Sequence, residues 1–546
     1  MGKNIGLVKF KPLDQPKTSI IATIGALDRY PPNYISDLID KGMNIARINL
    51  AHVKNRNDYN HIKEIINEVK EVTKRKKCLV GLLFDIGGPK IRVGELSQPV
   101  QIRNGDSLIL TTNPNNIPSR GKCKIIPVTH NIEFDVKKGN RILINDGRVE
   151  LTVSGKNPLK CTILSTGVKE INSHDGINLP KIHVSAKALT RNDFETIRHL
   201  HKLGISRSVD FFGLSFVKKA EDLNALEDYC DPFVSWNIGE KKKLPEIIAK
   251  IETWESVEKN GNGQYKVLDG IVEKFSGIMV ARGDLAGETS PEEVPVIQSY
   301  LSKKGIEVGR AVIIATQMLI SMKESDNKRP TRAEASDVAN AVFDYVDCVM
   351  LSDETATGAN PSLCVKTMCE ILLNAENSQK DETKCLDLLS ICGDRLKSLV
   401  CRIGGGEGSS IKREDAIAQS AILFAENLNS PAIIVSTSSG DTAIRISRYR
   451  PRKPIIAFTH IEKSATRMLL YRGIYPFLIE EKPDSFEHLV QTYRNILKEV
   501  KIGDKKLIAS ADDQGILLPL TLGIEPGVEG SIAASGNTNN IYILEF

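Results

Sequence analysis

The sequence predicts an α/β protein: a TIM (β/α)8 barrel with an inserted β-barrel lid domain and a C-terminal open α/β domain. Three observations carry this. Across residues 18–377, short apolar runs rich in β-branched residues alternate with helix-periodic stretches, the pattern of βα units around a parallel sheet. The runs number eight, which closes a barrel. Between the third and fourth runs, residues 89–185 change to short alternating strands broken by Asn, Gly and Asp, the mark of an antiparallel barrel or sandwich.

In order, the barrel runs are "SIIATIG", "NIARINL", "LVGLLFDIGG", "VDFFGLSF", "EIIAKIE", "SGIMVARGD", "AVIIATQ" and "DCVMLSDE". Helices are expected at 57–73, 291–304, 332–345 and 361–374. Within the insert, "SLILTT", "KCKIIPV", "RILINDG" and "VELTVSG" read as strands. The boundaries are an N-terminal segment 1–17, barrel parts 18–88 and 186–377, a lid 89–185 and a last domain 378–546, a candidate regulatory unit. That last domain opens with a polar insertion, 378–415, ending in "GGGEGSSIKRED", a mobile connection by composition. Helix "EDAIAQSAILFAENLN" and strands "AIIVST" and "PIIAFT" follow. No solenoid-period repeat is visible.

Composition narrows the function classes. A chain of 546 residues, 41% hydrophobic and 26% charged, is ordinary globular material of roughly three domains. A net charge of +5, evenly spread, gives no footprint for nucleic acid. The one basic cluster, Lys74 to Lys77, reads as a solvated helix end. Ten cysteines show neither CxxC nor metal spacing and are expected as reduced, mostly buried thiols. The opening "MGKNIGLVKFKPLDQPK" lacks a signal-peptide core, and no apolar run reaches membrane length. Cytoplasmic localisation is expected. "MGKNIG" lacks Ser or Thr at its sixth position, giving N-myristoylation little support.

The chemistry is expected at the C-terminal ends of the barrel strands. In "IIAKIE", period-two alternation puts Ile247, Ala249 and Ile251 on one face and leaves Lys250 and Glu252 on the other. Two charges there need partners. On an open barrel rim Glu252 and Asp284, from adjacent strands, would converge on a hard divalent cation, Mg2+ or Mn2+. Beside that cation the guest is an anion bearing carboxylate or phosphate. Lys250 would neutralise charge building on a phosphoryl group in transfer, and Arg47 would add a bidentate phosphate grip. Thr316 offers a hydroxyl to position a water or relay a proton, and the amides of "ARGD", 281–284, a seat for a carboxylate. Taken singly, Lys-x-Glu is usually a surface pair and Arg-Gly-Asp a turn. Five polar groups at the rims of separate strands favour the site.

These blocks resemble a known family. "ATIGALDR", "KGMNIARINLAH", "FDIGGPKIRVG", "GINLP", "AKIE", "GIMVARGDL", "ATQMLISM", "RPTRAEASDVANAV" and "MLSDETATG" follow the order of the pyruvate kinases over about 18–377, and "RISRYRPRKPIIAFT" and "LYRGIYP" extend it. The resemblance implies phosphoryl transfer from phosphoenolpyruvate to ADP, giving pyruvate and ATP, in a homotetramer whose insert closes over the site. By it Lys250 is the phosphoryl-stabilising lysine, Glu252 and Asp284 the metal ligands, and Thr316 the residue of enolpyruvate protonation. Arg47 and Arg92 match phosphate-gripping arginines, and Ala281, Arg282 and Gly283 line the substrate-carboxylate site. Asn49 and Arg92 lie on the nucleotide side; Asn49 and Asp85 belong to a K+ pocket.

Departures from the family pattern are informative. Ala51 and Ile86 stand where potassium-dependent members have Ser and Thr ligands, and Lys90 where they have Glu. Aliphatic side chains cannot coordinate a hard cation, so the expectation is that K+ is not required, with Asn49, Asp85 and Lys90 as a remnant in which an ammonium replaces it. Asp175 reverses a usually basic position near the nucleotide; Thr253 and Ala286 are tolerable changes. In the last domain Ser436, Thr437, Ser438, Ser439 and Gly440 resemble a loop that seats an effector phosphate. Asp441 and a terminal "GVEGSIAASGNTNN" without Trp or Arg argue against a sugar bisphosphate. Another phosphorylated effector stays a candidate. Two competing readings are a carbon–carbon lyase of the phosphoenolpyruvate/pyruvate barrel group and a catalytically weakened, metabolite-binding homologue.

Overall fold

The computed structural model describes residues 6–51, 53, 55–116, 123–238, 241–324, 326, 328–379, 413–499, 501–502, 505–506, 517–523 and 538–545. Most of the 378–415 insertion, with its Gly/Ser-rich run, and the glycine-rich 527–537 lie outside the described residues.

The eight apolar runs form one closed parallel barrel. Its strands are β1 (Ser19–Thr23), β2 (Met43–Asn49), β3 (Gly81–Ile86), β4 (Phe211–Leu214), β5 (Glu246–Ile251), β6 (Gly277–Ala281), β7 (Ala311–Ala315) and β8 (Cys348–Leu351). Side chains alternate as the pleat requires. Ile21, Ile45, Leu83, Phe211, Ile248, Met279, Ile313 and Met350 fill the interior; Ile20, Ala46, Phe84, Phe212, Ala249, Ile278, Ile314 and Val349 face the surrounding helices.

Helix ends follow local signals. Asn55 caps Arg56–Lys76 in a reciprocal box with Asp58, and Thr331 does the same for Arg332–Phe343 with Glu334. The first helix ends at Lys77 in the left-handed region, so the basic cluster is a helix end, with Lys76 paired to Asp40. The other expected helices are Val294–Val308 and Pro361–Ser378. Of these two, the first begins three residues late because Pro291 and the residues after it form a turn.

The insert is a curled six-stranded sheet over its own core, which includes Val93, Leu108, Ile142, Leu151 and Ile177. Its strands pair antiparallel except Ser107–Thr111 with Lys124–Pro127, which run parallel. The segment through Arg92 and Val93 joins the two edges, bridging to Gly176 on one side and Val128 on the other.

The last sheet runs Leu7–Phe10, Ile474–Ile479, Ile455–Thr459, Ile433–Ser436, Leu517–Gly523 and Thr538–Glu545. The N-terminal segment therefore supplies an antiparallel edge strand to the C-terminal sheet. This sheet's domain packs under the N-terminal ends of the barrel strands. There Asp347 binds Arg450 through both oxygens at 2.6 and 2.7 Å, and Asp210 takes Lys463 and Thr466, each at 2.8 Å. Among the described residues, no helix is long and apolar enough to cross a membrane, and the cysteines are free thiols.

Candidate active site

Strand register assembles the site. Asn49 pairs with Asp85 across β2 and β3, Asp85 with Gly213 across β3 and β4, Leu214 with Ala249 across β4 and β5, and Ala281 with Ala315 across β6 and β7. Residues just beyond these pairs, Ser215, Lys250, Glu252, Arg282 and Thr316, thus come to the C-terminal rim. Gly213 leaves room for Asp85, since a Cβ there would lie 3.1 Å from its Oδ1.

Four of the sequence-predicted residues form one buried network. Asp85 is its centre: Oδ2 accepts from Arg47 Nε at 2.7 Å, and Oδ1 faces the Lys250 ammonium at 3.1 Å. Lys250 also lies 3.0 Å from Glu252 Oε1 and donates to Ser215 Oγ at 2.8 Å. Arg47 donates to Thr23 Oγ1 at 2.8 Å, and the Phe216 N–H to Glu252 Oε2 at 2.8 Å. Sequence reasoning missed Ser215, Phe216 and Thr23. Ser215 and Thr23 are hydroxyl residues at or just past a strand's C-terminal end, the signal that would have found them.

Charge explains why the cluster survives burial. Burial opposes ionisation of Asp85, but Lys250 and Arg47 outweigh it and hold the carboxyl below its ordinary range. Burial likewise works against the Lys250 ammonium, yet Asp85 and Glu252 lift it above the usual lysine value. Glu252 goes the other way: burial raises it, Lys250 opposes, and Asp284 and Asp85 add to the rise.

A second group lies on the next strands. Thr316, at φ 69°, accepts the Gly283 N–H on Oγ1 at 2.9 Å. Arg282 is turned away from the rim centre: it donates to Thr316 O at 2.7 Å and to Asp337 at 2.7 Å, so it supports the loop. Asp284 pairs with Lys90 at 2.6 Å. Lys90 therefore meets the predicted metal ligand, while Asp85 is held by Arg47 and Lys250. Asn49 Oδ1 accepts the Ala51 N–H at 3.0 Å, and Arg92 donates to His174 O at 3.0 Å within the insert. Asp175 accepts the Asn172 N–H at 2.8 Å, closing its own turn.

Far from this rim, the 436–440 loop is buried and internally bonded. Ser436 accepts from Tyr493 at 2.8 Å and Thr437 from the Gly440 N–H at 3.0 Å, with Gly440 at φ 88°. Asp441 accepts from Ser439 Oγ at 2.9 Å and from Arg467 at 2.5 Å; burial opposes its charge, but Arg467 and Lys243 hold the carboxyl down at about 2. Arg467 also grips Glu246 at the start of β5.

Comparison with known proteins decides the family. The family model described as "Pyruvate kinase, barrel domain" matches residues 15–365, and "Pyruvate kinase, alpha/beta domain" matches 415–541. The chain belongs to the pyruvate kinase family. A protein named pyruvate kinase from Staphylococcus aureus strain MRSA252 is 36% identical over 466 residues, 84% of this chain and 71% of the relative. Another of that name, from Staphylococcus epidermidis strain RP62A, is 34% identical over 521 residues, 94% and 79%. Pyruvate kinase homology thus spans the barrel, whose rim carries the site described above, and the last domain at the barrel's opposite end.

Proposed function

We propose that this protein transfers the phosphoryl group of phosphoenolpyruvate to ADP, giving pyruvate and ATP, as a cytoplasmic homotetramer. The observation that carries the reading is the Lys250 ammonium, buried at the barrel rim between Asp85 and Glu252 with Arg47 in the same network. Two fixed cations on a rim suit a transferring phosphoryl group, whose chemistry is almost wholly positioning and charge stabilisation. A lactate-dehydrogenase-coupled assay with phosphoenolpyruvate, ADP and Mg2+ tests it, read alongside ATP formation. Absence of ATP would favour the lyase or the metabolite-binding homologue.

Glu252 and Asp284 fit a divalent metal, Mg2+ or Mn2+. Among the described residues no group of three or more His, Cys, Asp or Glu side chains is poised to hold an ion, so two carboxylates would be completed by water and substrate oxygens, as Mg2+ prefers. Asp284 acts electrostatically on the buried Glu252, so the two carboxylates lie within reach of a common charge, which supports this. Bound there, the metal would supply charge neutralisation at the enolpyruvate and phosphate oxygens. Lys250 and Arg47 grip the phosphoryl group, the 281–284 segment seats the carboxylate, and the insert serves as the lid. Arg92 and Asn49 take the nucleotide side.

Thr316, having accepted the Gly283 N–H, keeps its own hydroxyl hydrogen to donate towards the enolate. Thr316→Val retains the branched shape and should lower kcat on the order of 10²-fold. A variant with unchanged kcat would remove Thr316 from proton transfer.

The reading includes independence from K+. Ala51 and Ile86 bring no side-chain oxygen, Asn49 Oδ1 is engaged by Ala51, and Asp85 is engaged by Arg47 and Lys250. Activity at fixed ionic strength is expected to be the same with and without K+. Strong stimulation by K+ would refute this. The engaged 436–440 loop and its Asp441–Arg467 pair favour an effector other than a sugar bisphosphate.

A further inference from the structure

Both segments that connect the insert to the barrel dock on one short helix, Arg282–Glu288. The entry segment does so through Lys90, whose ammonium lies 2.6 Å from Asp284 in the first turn. The exit strand does so at the other end. Glu288 Oε1 accepts from Asn178 Nδ2 at 3.0 Å and from the Leu179 N–H at 3.2 Å, and the Glu288 carbonyl accepts the Lys181 N–H at 3.0 Å. Contact is close enough that a Cβ on Gly287 would fall 2.7 Å from Asn178 Cγ. Asn178 and Glu288 are 3% and 6% exposed, so water cannot substitute for these bonds.

The first turn of the same helix carries Gly283, bonded to Thr316, and Asp284. We propose that Glu288 is a positioning residue that fixes the exit strand of the insert to this helix, so that the insert's orientation and the placement of Gly283 and Asp284 are set together. An insert swinging over the rim pivots on Asn178 and Leu179, and Glu288 is the fixed side of the pivot. Burial raises the Glu288 carboxyl to about 8, against the opposing effect of the Asn178 and Leu179 hydrogen bonds. Glutamine is therefore a close mimic of its neutral form.

The kinetic arm of the test rests on the proposed phosphoryl transfer; the exchange arm does not. In hydrogen exchange on the full chain, Glu288→Ala should speed exchange of the Leu179 amide, which loses its side-chain acceptor, by about tenfold, the effect of losing a buried acceptor. Glu288→Gln should restore protection. In steady-state assays Glu288→Ala should lower kcat and raise the KM of ADP, with Glu288→Gln recovering most of both. Asn178→Ala, which removes one bond from the insert's side, should give the same pattern in milder form. Unchanged exchange in Glu288→Ala, or equal losses in the Ala and Gln variants, would overturn the proposal. Altered exchange with no kinase activity in any form, wild type included, would instead sink the functional reading and leave the anchor standing.

Discussion

Lys250→Met is expected to reduce phosphoryl transfer by on the order of 10³-fold, the scale seen when one preorganised charge-stabilising donor is removed from a water-poor site. Methionine fills similar space without the charge. The loss should appear in single turnover of phosphoenolpyruvate with ADP, while Mn2+ binding followed by electron paramagnetic resonance is retained, because Glu252 and Asp284 are untouched. Equal loss of metal affinity would contradict the role given to Lys250. The variant should also be less stable, since Asp85 and Glu252, 1% and 2% exposed, lose a shared counter-ion; removing one partner of a buried charge cluster costs about 3–5 kcal/mol.

Asp347→Ala should produce the largest stability change elsewhere in the chain. Asp347 is fully buried and binds Arg450 bidentately, the Arg472 N–H at 2.9 Å and the Val312 N–H at 2.9 Å. Its removal leaves a guanidinium and two amides without that partner at the seam between β7, β8 and the last domain. A loss of about 3–5 kcal/mol follows, read as a lowered urea midpoint of the first unfolding transition. Pairing it with Arg450→Met should cost less than the sum of the two single changes, because each removes the other's reason for penalty. Strict additivity would show that the two side chains act independently.

The barrel was legible because buried parallel strands read as unbroken β-branched runs; seven of the eight quoted runs contain a whole barrel strand and "NIARINL" covers all of its strand but Met43. Parity within "IIAKIE" likewise placed Lys250 and Glu252 on the interior face, opposite Ile247, Ala249 and Ile251. What sequence could not show was pairing across distance. Asp85 reads as a pocket residue, and only the β3–β4–β5 register makes it the anion between Arg47 and Lys250. Lys90 reads as an ammonium for a monovalent pocket; its partner is Asp284, 194 positions away. Asp210 and Asp347 precede β4 and β8 at the barrel's opposite end, where buried charge serves attachment of the last domain. The insert's parallel pair, too, depends on a crossover that no local alternation encodes.

The edge strand Leu7–Phe10 leaves the ribosome before the barrel, yet its partner Ile474–Ile479 is made only after the barrel. At about 5–20 residues per second, the interval is roughly half a minute to a minute and a half. Throughout that wait the barrel, which starts at Ser19, can close without it. A strand made before the barrel therefore finds its place only after it, and removing residues 1–10 should weaken the C-terminal sheet.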